Sequence, residues 1–184
     1  MQRWTLRQEI LLHILVILVF LLPYVFLQNL VFNYQAMLLL MGGGLIGTFL
    51  PDVDHLLYAL FLKPGDITSQ RVHSKLAARD VKGAIVLLFT TRDERRKLVF
   101  HTVFFQCLFV LFAFLVITSN GTLFGRGLVL GFLLSLLVDQ IVDLRQKQPL
   151  ARWASGLPIS FTPQQFDTYL LVHGVLLLLL GYVF

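Results

Sequence analysis

Residues 36–62 read AMLLLMGGGLIGTFLPDVDHLLYALFL, an apolar run interrupted first by glycines and then by Pro51, Asp52, Asp54 and His55. A helix crossing the bilayer needs about 20 mainly apolar residues, because each advances about 1.5 Å and the hydrocarbon is about 30 Å thick. The run is long enough to cross, yet it carries two carboxylates and an imidazole inside it. Pro51 has no backbone donor and restricts Leu50, so the helix is expected to kink or break there. Broken backbone at membrane depth is tolerated where protein or a water-filled cavity surrounds it. Gly42, Gly43, Gly44 and Gly47 lack bulk and suit close helix packing just upstream.

Outward from this run, other apolar stretches occupy Ile10 to Phe32, Leu98 to Ile117, Leu123 to Leu144 and Phe166 to Phe184. The whole chain is 57% hydrophobic and 14% charged, against about a quarter charged in a soluble domain. A soluble globular enzyme is thereby excluded. The expected fold is all-α: a polytopic membrane helix bundle of about five spans, the second broken at Pro51. The first stretch is read as an uncleaved span, because no small-x-small cleavage site follows it and it is long for a signal-peptide core.

Fourteen of the fifteen Lys and Arg residues fall on one side if the N-terminus is cytoplasmic, and only Arg126 falls on the other. Cytoplasmic loops are enriched in these residues. The expected arrangement is a multi-pass protein of the cell membrane with its N-terminus cytoplasmic and its C-terminus external. No repeat or long linker divides the chain, so residues 1–184 are taken as one membrane domain containing a basic cytoplasmic loop over 63–97. Within that loop, Ser74 to Phe89 is expected to form an amphipathic helix on the membrane surface. The net charge of +5 fits attraction to anionic lipid headgroups better than nucleic-acid binding. The partners expected are therefore membrane lipids. Trp4 and Trp153 suit interfacial anchoring, and the single cysteine, Cys107, cannot form an internal disulfide.

An intramembrane carboxylate costs about 2.5 to 3.5 kcal/mol even on the gentler insertion scales, so it calls for a partner or a task. Asp52 and Asp54 in the second span, His101 at the start of the third, and Asp139 near the end of the fourth reach one depth at the cytoplasmic side. Asp139 and Asp143 are four apart, hence on one helix face. Carboxylates and imidazoles suit Zn, Mn or Fe, and a cation so held activates water for hydrolysis. The other reading pairs these carboxylates with Arg95, Arg96, Lys97 or Arg145 at the headgroup edge, and Asp143 alone also fits a solvated charge at a helix end. His13 and His173 lie near the same face and either line a cavity or hydrogen-bond across helices. His73 is expected in solvent.

The Pro51–Asp52–Val53–Asp54–His55 element, His101–Thr102, and the segment from Gly131 to Asp139 resemble the YdjM-like family, bacterial inner-membrane proteins described as LexA-binding, metal-dependent hydrolases. Pro158 to Phe166 is similar to that family's segment before its final span. The resemblance implies a metal held by Asp52, Asp54, His55, His101 and Asp139. Arg96 and Ser135 stand where the family has histidines, with Asp143 or His173 as substitutes, and no residue here matches a LexA contact. The expected function is a metal-dependent hydrolase of the cytoplasmic leaflet acting on a phosphate ester or lipid-linked substrate, with Asp143 orienting or deprotonating water. The alternatives are a non-catalytic protein using the same cluster for structural ion binding or helix bridging, and an ion or proton pathway. Confinement of polar groups to one side argues against the last.

Overall fold

The computed structural model describes residues 5–95, 98–119, 121–145, 153–154 and 162–182, and among these every regular element is helical. Helix α1 (Leu6–Leu27) opens on a capping box in which the Thr5 and Gln8 side chains each satisfy the other's backbone N–H. It ends before Asn29, whose left-handed backbone (φ 54°) turns the chain through a short 3-10 segment. Helix α2 (Tyr34–Phe49) follows, its first turn capped by Asn33.

The expected break is present. Helix α3 (Val53–Leu57) continues α2 after a bend of 41° and passes into a π-helical turn over Tyr58–Leu62. Thr48 gives its hydroxyl proton back to the Gly44 carbonyl, and Pro51 supplies no N–H, so the ladder is loosened on both sides of the bend.

Among the described residues, three helices are long and apolar enough to cross a membrane: α1, α7 (Leu123–Arg145) and α8 (Pro163–Tyr182); the bent α2–α3 pair, counted as one span, makes a fourth. Helix α6 (Val103–Thr118) has 16 residues, or about 24 Å at the helical rise. The expected third span is shortened because residues 98–102 leave the helix and wrap around Asp54. Outward faces are apolar, as a lipid solvent requires; Leu15, Val19 and Phe26 of α1 are each about 60% or more exposed.

Glycines position the centre of the bundle. A Cβ on Gly43 or Gly47 of α2 would lie 2.1 Å from the Phe124 or Leu128 carbonyl oxygen of α7. Reciprocally, one on Gly127 or Gly131 of α7 would lie 2.0 or 2.2 Å from the Leu40 or Gly44 oxygen of α2. The two helices meet backbone to backbone through a small-xxx-small face on each. Gly44 packs on Leu21 and Ile17 of α1, whereas Gly42 faces open space.

The basic loop departs from expectation. Instead of one surface helix over Ser74 to Phe89, it forms a hairpin of α4 (Ile67–Ala77) and α5 (Val81–Thr90). Arg79 takes a left-handed conformation (φ 60°). Asp80 then caps α5 by accepting the Gly83 N–H at 2.8 Å and pairs with Lys75 at 2.9 Å. The Lys75 bond, with the Gly83 N–H, holds the Asp80 carboxyl below its usual range. Ala59, Val72 and Ala84 bury together and tie the hairpin to the π turn.

Candidate functional site

The bend after α2 turns Asp54 into the protein, where it is fully buried. Its carboxylate accepts the backbone N–H groups of Val99 (3.1 Å), Phe100 (2.6 Å) and His101 (3.4 Å), and lies 3.3 Å from His101 Nδ1. Successive backbone N–H groups of this kind form an anion-binding nest. Here the anion belongs to the protein, and it holds the entry to α6 in place.

On its other side, His101 Nε2 is 3.6 Å from Asp139 Oδ2 of α7. The second Asp139 oxygen is 3.4 Å from His13 Nε2 of α1. His13 Nδ1 donates to the Glu9 carbonyl at 2.9 Å, an oxygen that can only accept, so the ring proton sits on Nδ1. Both imidazoles thus have Nδ1 fixed by a protein oxygen and Nε2 directed at one carboxylate. Both Nε2 to oxygen separations exceed the usual hydrogen-bond range of about 2.7–3.2 Å, and the 3.3 Å from His101 Nδ1 to Asp54 lies just beyond it.

The remaining expected residues take other places. His55 is half-buried; its Nδ1 accepts from Arg95 Nε at 3.0 Å, and its ring lies 5.3 Å from that of His101. Asp52 opens onto a cavity; its backbone carbonyl accepts the His55 N–H at 3.1 Å, and its carboxylate has no hydrogen bond or ion pair to the described residues. Asp143, expected either to act on water or to sit in solvent, is 3% exposed and accepts Trp153 Nε1 at 2.9 Å. Trp153 is correspondingly no interfacial anchor. It is fully buried with its ring 5.6 Å from His101, and its carbonyl takes the Val103 N–H at 2.9 Å. Trp4, Arg96, Lys97 and residues 158–161 of the Pro158 to Phe166 segment lie outside the described residues.

The expected arginine bridges to Asp54 and Asp139 are absent among the described residues. Arg145 is exposed, and Arg95 turns its guanidinium to His55, Thr91 and Leu88. An unanticipated ion pair joins Arg92 to Glu9. Glu9, His13, Asp52, His55 and Arg92 are the polar lining of a cavity of about 340 Å³ whose other walls are apolar side chains of α1, α2, α3, α4 and α5.

The sequence placed His13 at the cytoplasmic face, lining a cavity or hydrogen-bonding across helices, without joining it to Asp139, and passed over Glu9 and Arg92. The available signal was the common depth of His13 and Glu9 at the inner end of α1, four residues apart on one face. A second polar cluster lies beyond Asp139. Gln140 donates to Gln106 at 2.7 Å, Tyr169 also donates to Gln106, and His173 Nδ1 meets the Gln140 oxygen at 3.1 Å. It joins α6, α7 and α8 by hydrogen bonds across helices, which is where His173 belongs.

Asp139, His13 and His101 fit a metal by the chemistry of their donor set: one carboxylate and two imidazole Nε2 atoms face one another, with each Nδ1 anchored. Such anchoring of the second ring nitrogen accompanies metal-binding histidines. Asp54 and His55 instead have their described contacts within the protein. Among the described residues no group of three such side chains already encloses a point at ligand distances. Compared with family models, characterised proteins and solved structures, the chain gives no match.

Proposed function

We propose that this chain is a membrane-embedded hydrolase dependent on a divalent cation, working at the cytoplasmic leaflet. The observation that supports this reading is the opposed pair of Nε2 atoms on the Asp139 carboxylate, at 3.4 and 3.6 Å, with both Nδ1 atoms oriented by protein oxygens. If neutral, imidazoles so oriented would present lone pairs to an anion, an arrangement that a cation between them would relieve. Asp139, His13 and His101 would hold the cation, with Asp52 free to join from the cavity side.

When bound, such a cation supplies Lewis-acid polarisation and activation of water. Asp54 orients His101 and keeps its proton on Nδ1. The Glu9 carbonyl does the same for His13. Asp52, unpaired among the described residues and facing the cavity, is the carboxylate placed to accept a proton from water, a part the sequence had suggested for Asp143. Trp153 and the α4–α5 hairpin wall the site from bulk solvent. Kinship with the YdjM-like family belongs to this proposal and rests on the Pro51 to His55 element.

Purified protein in lipid nanodiscs is expected to release phosphate from a long-chain phosphate monoester, to lose that activity in EDTA and to regain it with one of Zn, Mn or Fe. Stoichiometric metal without hydrolysis of any phosphate or carboxylic ester would instead support structural ion binding. A second reading, helix bridging without metal, is favoured by the same His13–Asp139–His101 contacts, which tie α1, α6 and α7 together; it requires protons in place of the cation.

The proposed orientation places the N-terminus and the α4–α5 hairpin in the cytoplasm, at the inner membrane of a bacterial cell, and rests on the distribution of Lys and Arg. In a background lacking Cys107, cysteines introduced at the exposed positions 78 and 121 should react with impermeant reagent from opposite sides. Labelling of both from one side would refute it.

A further inference from the structure

The cavity at the site is lined by five polar residues, Arg92 and Glu9 forming an ion pair among them, and otherwise by apolar side chains, with α5 forming much of its wall. Val81, Ala84, Ile85 and Leu88 all line it, spaced as one face of a helix. Several lining residues are also exposed to the outside: Ile10 at 37%, Val53 at 40%, Val81 at 56% and Ile85 at 51%. The mouth therefore lies between α1 and α5 and has an apolar rim, so a hydrocarbon chain can pass sideways from the bilayer without crossing water. An opening to bulk water would expose this rim at a cost of about 25 cal/mol per Å².

At the inner end, the Arg92 guanidinium lies over the Phe89 ring at 5.3 Å and has Glu9 as its only hydrogen-bond acceptor among the described residues. A guanidinium carries five N–H donors, so most remain for a ligand. The other Glu9 oxygen, Oε2, is buried and unpartnered among the described residues, so it remains available to a donor or a cation at this end of the cavity.

We infer that the cavity between α1, α3 and α5 binds an amphiphile with a single hydrocarbon chain, the chain lying along α5 and an anionic phosphate-type head meeting Arg92. This names the substrate class of the proposed hydrolase and rests on that reading, because Glu9 and Asp52 oppose an anion at the same end unless the cation joins Arg92 there. The volume of about 340 Å³ stands at the low end of ligand pockets, which run from about 300 to 1,000 Å³; it suits one chain rather than two.

The test is photolabelling of the full chain in nanodiscs with a dodecyl phosphate carrying a diazirine near the chain end, followed by peptide mapping. Labels are expected on α1 and α5 residues of the cavity. Unlabelled dodecyl phosphate should compete at least tenfold better than inorganic phosphate, dodecyltrimethylammonium or a two-chain phosphatidic acid. Ile85→Trp, at a half-exposed position, should fill the cavity and reduce labelling at least tenfold, and Arg92→Gln should weaken competition by the phosphate head.

Labels confined to the outer face of α1, or labelling unaffected by Ile85→Trp, would overturn the cavity assignment. Equal competition by the ammonium or two-chain lipid would overturn the head or the single chain. Metal content measured on the same samples separates the two proposals. Stoichiometric metal without cavity labelling rejects this inference alone, whereas cavity labelling of a metal-free wild type keeps the amphiphile site but rejects the hydrolase reading and the cation's part in holding the head.

Discussion

Asp139→Asn should strip the protein of bound divalent cation while leaving the helices inserted. The substitution keeps the shape of the side chain and removes its charge and one acceptor oxygen. In the native protein those oxygens face His13 Nε2 and His101 Nε2 at 3.4 and 3.6 Å, so Asp139 is the only anion of the proposed ligand set that touches both imidazoles. Loss of an outer partner of a metal ligand costs about ten- to a hundredfold in affinity, and loss of the shared carboxylate should exceed that. Asp54→Asn provides the graded comparison. It retains an acceptor for the backbone N–H groups of residues 99 to 101 but weakens the hold on His101 Nδ1, so its loss of affinity should fall within that range. Mass spectrometry of metal content on the wild type and both variants decides the matter. Wild-type protein purified without chelator that carries no stoichiometric metal, and whose thermal stability ignores EDTA, would leave the carboxylate as a helix bridge only.

The largest effect on stability is expected at Gly131. A Cβ there would lie 2.2 Å from the Gly44 carbonyl oxygen and 3.0 Å from the Gly44 Cα, and backbone atoms cannot step aside as a side-chain tip can. Gly131→Val must push α7 away from α2 over their whole contact. Overpacking of a close-packed interior costs about 1–3 kcal/mol and occasionally more, and this site belongs at the upper end because neighbouring glycines depend on the same approach. Gly42→Ala is the control: a Cβ at position 42 meets nothing within 4 Å. Since Gly in a helix interior costs about 0.5–1 kcal/mol relative to Ala, this variant should be neutral or slightly more stable. Thermal unfolding in detergent, followed by size-exclusion recovery, compares them. Gly131→Val melting with the wild type would show that α2 and α7 are not held at backbone distance.

Several features were legible from residue order because they depend on local chemistry. Apolar runs long enough to cross hydrocarbon identify the helices, since an unpaired backbone group in lipid is prohibitive. Proline marks the bend after α2 for a similarly local reason. The glycine run on α2 was readable as a packing face, although its partners Gly127 and Gly131 were not, because which helix a face meets depends on the whole arrangement. The α4–α5 hairpin escaped for a related cause. Burial of Val72 and Ala84 against Ala59 outweighs continuation of one helix through Arg79 and Asp80.

What the sequence by itself determined is a helical membrane protein, broken at Pro51, with its chemistry-bearing carboxylates and histidines at one depth. Depth follows from counting residues along a span, but rotation about the span axis does not. Only the tertiary structure could therefore decide which groups of that layer face one another. It turned Asp54 inward to a nest of backbone N–H groups, brought His13 from the distant α1 to Asp139, directed Arg95 to His55, and opened Asp52 onto a cavity. Those outcomes depend on how closely α2 and α7 approach and on where residues 98–102 leave the helix, and both are properties of packed neighbours rather than of any one segment.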